Sequence, residues 1–153
     1  MGQLFAQWAN SLGAKVIGTV GSEEKIKIAK ENGYEHVINY SKDNFADEVL
    51  KITNNEGVTA VFDGVGKDTF QGSISCLKPR GMMISFGNAS GPLDPINVKK
   101  DIQSKSIYFT RPTIGHFFSN REEFQEGADA IFEKVKYGNI KVNIVKVYKL
   151  EAV

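Results

Sequence analysis

Apolar residues along this chain alternate between two periods, short β-rich runs and stretches at helical spacing, which is the pattern of a parallel sheet covered by helices. The first stretch is helical. Leu4, Phe5, Trp8, Ala9 and Leu12 recur at three- and four-residue spacing, and Gly13 supplies the stop. Residues 16–20 read as a strand, and Gly21-Ser22 turns the chain into a helix carrying Ile26 and Ala29 towards Gly33. A short strand at 36–40 precedes a helix through Phe45, Val49 and Ile52, which ends in the polar stretch 54–57. Residues 58–62 form the next strand, closed by Asp63-Gly-Val-Gly66, and 68–77 are helical. The string 78–81 reads as a turn, 82–86 as an apolar strand and 87–95 as a loop bearing Gly and Pro. A short helix at 98–103 leads to a strand at 106–110. The longest helix covers 121–137, with Phe124, Ala128, Ile131, Phe132 and Val135 on one stripe, and Gly138 ends it. A last alternating strand is expected at 141–150.

The ends of this pattern are unusual for a parallel domain, in which the first helix packs on the strand that feeds it. Here the first helix has no strand before it, and Leu150-Glu-Ala-Val153 reads as the start of another helix. The expectation is one incomplete domain over residues 1–153, cut at both ends from a larger architecture.

Composition narrows the function classes. The chain has 153 residues, enough for one domain with a sizeable core, and its formal net charge is +1 with basic and acidic residues interspersed. That balance argues against a nucleic-acid or membrane-surface footprint. No secretory signal or long apolar run opens the chain, and Ala6 stands where a myristoylation signal wants Ser or Thr, so the cytoplasm is the expected compartment. The single cysteine, Cys76, excludes an internal disulfide and reads as a buried small hydrophobe. His36 and His116 have no Cys or Asp cluster at ligand spacing, so no metal site is expected. No nucleophile, acid or base stands out, and no catalytic residue is assigned.

Doubly wound sheets bind dinucleotides at the carboxyl ends of their strands, so those loops carry the candidate chemistry. Gly2 lies at the mouth of the first helix, where a Gly-rich turn would hold a pyrophosphate. The next strand ends in Gly18-Thr-Val-Gly-Ser-Glu-Glu-Lys25 without the carboxylate that an NAD site places at this tip. Ser22 and Lys25 suit a 2′-phosphate; equally, Ser22 caps a helix and Lys25 is solvated, and Glu23 and Glu24 count against an anion there. Tyr40, at the third strand end, serves either packing or an adenosine phosphate. In Asp63-Gly-Val-Gly66 the glycines allow close approach of a cofactor, or Asp63 caps a tight turn. Ser85-Phe-Gly-Asn-Ala-Ser-Gly91 ends the next strand, where either a nicotinamide rests beside Phe86 or Phe86 packs in the core. Arg111 suits a phosphate, a carboxylate or a surface ion pair.

Taken together, Gly13-Ala-Lys-Val-Ile-Gly-Thr-Val-Gly-Ser22, Val37-Ile-Asn-Tyr40, Phe62-Asp-Gly-Val-Gly-Lys-Asp-Thr-Phe70, Leu77-Lys-Pro-Arg-Gly81, Ser85-Phe-Gly-Asn-Ala-Ser-Gly91 and Thr110-Arg-Pro-Thr113 resemble bacterial NADPH:quinone oxidoreductases. These form the zeta-crystallin-like, zinc-free branch of the medium-chain dehydrogenase/reductase superfamily. The resemblance implies an α/β fold, a Rossmann-type doubly wound parallel sheet, lacking its first strand and Gly-rich loop and following an absent GroES-like catalytic domain. In the family strand order 3-2-1-4-5-6 the lost strand is central, leaving a gap of roughly 10 Å. The resemblance implies that Ser22, Lys25 and Tyr40 hold the 2′-phosphate of NADP(H), that Val65 and Phe86 lie along the cofactor, and that Ser85 and Gly87 flank the nicotinamide. Arg111 matches an arginine near the active-site cleft. In the intact enzyme hydride would pass from NADPH to a quinone or activated alkene, and two copies would pair through 106–110 as a homodimer. The other expectations are a non-catalytic NADP-binding or dimerising module and a sibling enoyl reductase.

Overall fold

Glycines and asparagines punctuate the chain where the apolar periods change. The computed structural model describes residues 2–144 and 146–152. Its elements are α1 Gly2–Ser11, β1 Ile17–Val20, α2 Glu23–Glu31, β2 His36–Asn39, α3 Phe45–Ile52, β3 Val58–Asp63, α4 Phe70–Cys76, β4 Leu77–Ser85, β5 Tyr108–Thr110, α5 Ile114–Phe117 and α6 Arg121–Lys136. Asn44 and Asn120 cap α3 and α6, accepting from the Ala46 and Glu123 amides.

Every strand pairing is parallel, β1 with β2, β3 with β4, and β4 with β5. The strands form two sheets, β1-β2 and β3-β4-β5, and among the described residues no ladder joins them. In place of a ladder, side chains hold the sheets together. Ile17 and Ile38 from one sheet pack with Ala46, Val49 and Cys76 against Val58 and Val61 of the other. The same two valines belong to the second core cluster, around Phe70, Ile74, Leu77, Met83 and Ile107. Burial of that shared apolar surface makes the α3–α4 layer the common backing of both sheets. On the opposite side α1 packs on α2, and the Tyr34 hydroxyl donates to the Gly2 carbonyl at 2.9 Å while its ring covers Gly18. Helices on both faces of parallel strands make this the expected doubly wound, Rossmann-type arrangement.

Several expected elements take a different form. The turn at 78–81 lies inside β4. Val58 faces Leu77 and Ala60 faces Met82, so the extra β4 residues bulge outwards, with Arg80 in the left-handed region at φ 61°. The helix at 98–103 is a π turn, Val98–Ile102, running into a 3-10 turn, Gln103–Lys105. The edge strand starts only at Tyr108, because Ser106 at φ 53° turns the chain first. The final strand expected at 141–150 is not formed. Residues 141–144 and 146–149 have no ladder partner, Leu150–Ala152 is a 3-10 turn, and Val145 lies outside the described residues. Its alternation is real, but a strand needs a neighbour. Instead the Gln7 side chain takes up both backbone groups of Lys141, donating to its carbonyl at 3.2 Å and accepting from its amide at 2.7 Å.

Candidate functional site

The carboxyl ends of β1 and β2 meet through Gly21 and Tyr40. A side chain at position 21 would lie 2.8 Å from the Tyr40 hydroxyl, so only glycine lets the ring settle over the strand exit. Ser41 donates to the Gly21 carbonyl at 2.9 Å and fixes the same corner. Ser22 is the N-cap of α2 with extended backbone, yet its side chain makes no cap hydrogen bond. Capping is therefore not what its hydroxyl does here. Lys25 is exposed and, among the described residues, takes part in no ion pair.

The acidic neighbours are handled unequally. Glu23 bonds the Lys42 ammonium at 2.7 Å and accepts from the Asn39 amide at 3.0 Å. Those bonds, Lys42 foremost, hold its carboxyl below the ordinary range. Glu24 stays exposed.

The β3 exit is organised by Asp63, whose buried carboxylate accepts from the Val65 and Gly66 amides at 2.8 and 3.0 Å. The turn-capping reading of Asp63 is the one its geometry matches. The β4 exit leans on this turn. The Phe86 ring covers Gly64, and any side chain at Gly87 would run into the Gly64 backbone. Ser85 is fully buried, and the Arg111 guanidinium donates to its carbonyl at 3.3 Å and its hydroxyl at 3.2 Å. Among the described residues Arg111 is thus in no ion pair, and its guanidinium is engaged by Ser85.

Between the β2 exit and these loops lies a cavity of about 430 Å³ lined by Tyr40, Phe45, Val65, Asp68, Thr69, Ala89 and Ser90. It brings together Tyr40 and Val65 of the residues expected from sequence. Ser85, Phe86, Gly87 and Arg111 form a second group beside Gly64, while Ser22 and Lys25 stand on α2. Gly2 touches Tyr34 and is not part of the cavity wall. Phe45, Thr69 and Ser90 carry no expected site role from sequence: Phe45 reads as part of a helix stripe, and Thr69 and Ser90 sit inside motif strings with nothing local to mark them as lining a cavity.

These features fit a dinucleotide phosphate. Gly21, Gly64 and Gly87 keep side chains out of the strand exits, and Ser22 and Lys25 offer a hydroxyl and a cation not committed to a cap or an ion pair. Among the described residues, no three His, Cys, Asp or Glu side chains gather where a metal ion would be held, and no helix is long and apolar enough to cross a membrane.

Comparison with known proteins places the chain. Residues 1–133 match the zinc-binding dehydrogenase family. The chain is 46% identical over 151 residues to a 2-haloacrylate reductase from a Burkholderia species, covering 98% of this chain and 45% of that protein. It is 39% identical over 149 residues to quinone oxidoreductase 1 of Escherichia coli K12, covering 97% of this chain and 46% of that protein. The crystal structure of a 2-haloacrylate reductase superposes with a TM-score of 0.91 at 46% identity, covering 94% of this chain and 45% of that one. Escherichia coli quinone oxidoreductase complexed with NADPH gives 0.89 at 39% identity, covering 94% and 44%. The chain spans a little under half the length of these relatives. Matched over most of its length by the family, and over nearly all of it by quinone oxidoreductases of the same fold, this chain belongs to the zinc-binding dehydrogenase family, among its quinone oxidoreductase relatives.

Proposed function

We propose that this chain is the NADP(H)-binding domain of an oxidoreductase that reduces a quinone or an activated alkene. The observation that carries the reading is the donor set on α2. The Ser22 hydroxyl makes no cap bond, Lys25 has no ion-pair partner among the described residues, and Glu23 is held by Lys42 and Asn39. With Tyr40 over Gly21, this set suits an anionic group beside the ribose better than a bare hydroxyl. The relatives supply the acceptor class, since they include a 2-haloacrylate reductase and quinone oxidoreductases, one of them crystallised with NADPH.

When bound, the nicotinamide supplies the hydride, and the chain's own residues bind and orient. Ser22, Lys25 and Tyr40 hold the 2′-phosphate, Val65 and Phe86 line the cofactor, and Ser85 and Gly87 flank its nicotinamide end. Arg111 fixes Ser85 from behind. Gly2, at the mouth of α1, belongs to the pyrophosphate side. The same proposal includes operation without zinc, a cytoplasmic setting, a preceding catalytic domain, and pairing of two copies through β5, which is an edge strand.

The test is titration of NADPH and NADH against the wild type, Lys25→Ala and Ser22→Ala. The wild type should prefer NADPH. Losing the Lys25 charge should weaken NADPH by about tenfold, the scale of one charged hydrogen bond, and leave NADH within about twofold. Equal affinity for the two nucleotides, or no loss in Lys25→Ala, would overturn the reading.

A further inference from the structure

Asp63, 5% exposed as a residue, ends β3 with its carboxylate surrounded by donors. Oδ1 accepts from the Val65 amide at 2.8 Å and the Gly66 amide at 3.0 Å. The Thr69 hydroxyl lies 2.9 Å from Oδ1 and 2.8 Å from Oδ2, and the Ser73 hydroxyl donates to Oδ2 at 2.9 Å. The Asp63 main-chain carbonyl accepts from the Phe86 amide at 2.9 Å and the Gly87 amide at 3.3 Å. Among the described residues no cation pairs with it.

A buried carboxylate without a counter-charge is costly unless several donors converge on it. Here four donors do, and they come from two places, the 64–66 turn and the start of α4. Both oxygens of this carboxylate lie against donors, an arrangement that the amide of asparagine, with one oxygen and one NH2 group, does not reproduce. By its side chain Asp63 shapes the turn that carries Val65, and by its carbonyl it ties on the loop that carries Phe86 and Gly87. Further along the loop, the Ser90 amide and hydroxyl both donate to the Val65 carbonyl, at 2.8 and 2.9 Å, so Asp63 anchors the end of the contact nearest the strands.

We propose that Asp63 is a positioning residue of the cofactor groove, its side chain holding the Val65 turn in a fixed relation to the Phe86–Gly87 loop that its main-chain carbonyl receives. The role rests on the cofactor reading above. An asparagine at 63 would keep one acceptor face but turn an amide donor towards the hydroxyls of Thr69 and Ser73. Those hydroxyls can rotate to accept, so the fold should survive while the turn loosens.

The test uses wild type, Asp63→Asn and Asp63→Ala, read by thermal melting, amide hydrogen exchange and nucleotide titration. Asp63→Asn should melt within a few degrees of wild type. Its Val65 and Gly66 amides should exchange about tenfold faster, while Phe86 and Gly87, held by a main-chain carbonyl the variant keeps, stay protected along with β1 and β2. NADPH and NADH should both bind about tenfold more weakly with their ratio unchanged, the opposite of Lys25→Ala, and the emission of bound NADPH should shift towards that of the free nucleotide. If Asp63→Ala does not fold, Asp63→Asn carries the test. Unchanged exchange at the Val65 and Gly66 amides overturns the proposal, and so does faster exchange with undiminished affinity. If wild type binds neither nucleotide, the cofactor reading fails and this role falls with it, an outcome distinct from a loss confined to the Asp63 variants.

Discussion

Ser22 shows how far a single residue's role depends on its hydrogen bonds. Its position before Glu23 and Glu24 is that of a helix cap, and its type is right for one, but the hydroxyl makes no such bond. Residue type and spacing suggest a cap as readily as a phosphate contact, and the geometry lacks the cap bond, which leaves the hydroxyl open to the ligand role proposed above. Cys76 went the other way, since a small apolar-flanked cysteine at the end of a helical run is enough to expect burial. It is 2% exposed, and burial pushes its thiol from an ordinary 9.0 up to about 11, with Lys105 opposing only in part. The folded state therefore holds this proton more tightly than the unfolded chain. Above pH 9 the unfolded chain ionises first, so the contribution to stability is complete below that value and is lost as pH rises towards about 11. Urea unfolding at about pH 8 and about pH 10.5 should show this loss, and Cys76→Ser should reduce it. Iodoacetamide at neutral pH should label the folded chain far more slowly than the unfolded chain, measured by intact mass.

At the scale of elements, periodicity located the strands and helices, while their ends and irregularities depended on neighbours. The stretch 78–81 has turn composition, yet it bulges from a strand because Leu77 already pairs with Val58. The run at 141–150 alternates as a strand should, but its described residues pair with no strand, and the Gln7 amide satisfies Lys141 instead. Loop-to-loop contact was equally illegible, since Gly64 and Gly87 are far apart in the chain. Gly87 sits so close to the Gly64 backbone that no side chain fits between them. Gly87→Ala should force the two loops apart, costing about 1–3 kcal/mol, the usual range for overpacking. Chemical denaturation would measure it, and the same change at Gly115, which faces open space, should cost much less.

Across the whole molecule, apolar surface is divided unevenly. The α3–α4 side is packed, whereas Phe62, Met82 and Tyr108 share the other face of the larger sheet and stay largely exposed. None of the described residues of α6 is buried, and Phe132 on its stripe is 68% exposed. Of that stripe, Ile131 and Val135 line an apolar groove with Leu4, Phe5 and Trp8 of α1, while Phe132 faces outwards. Phe132→Glu should therefore change stability by no more than about 0.5 kcal/mol, against several for Phe70→Ala in the core, as compared by denaturant midpoints.

What the sequence determined by itself was local or cumulative: the alternation of periods, the parallel class that follows from it, and the strand exits where glycines, Ser22 and Asp63 gather. Short-range sterics and the periods of helix and strand act within a few residues, so they leave a mark in the order of residues. The tertiary structure alone decided which groups were already occupied. It tied Glu23 to Lys42, turned Arg111 onto Ser85, brought Tyr40 to Gly21, and joined two unladdered sheets through Val58 and Val61. Those are contacts between residues distant in the chain, formed by burial and long-range packing, and no local period records them.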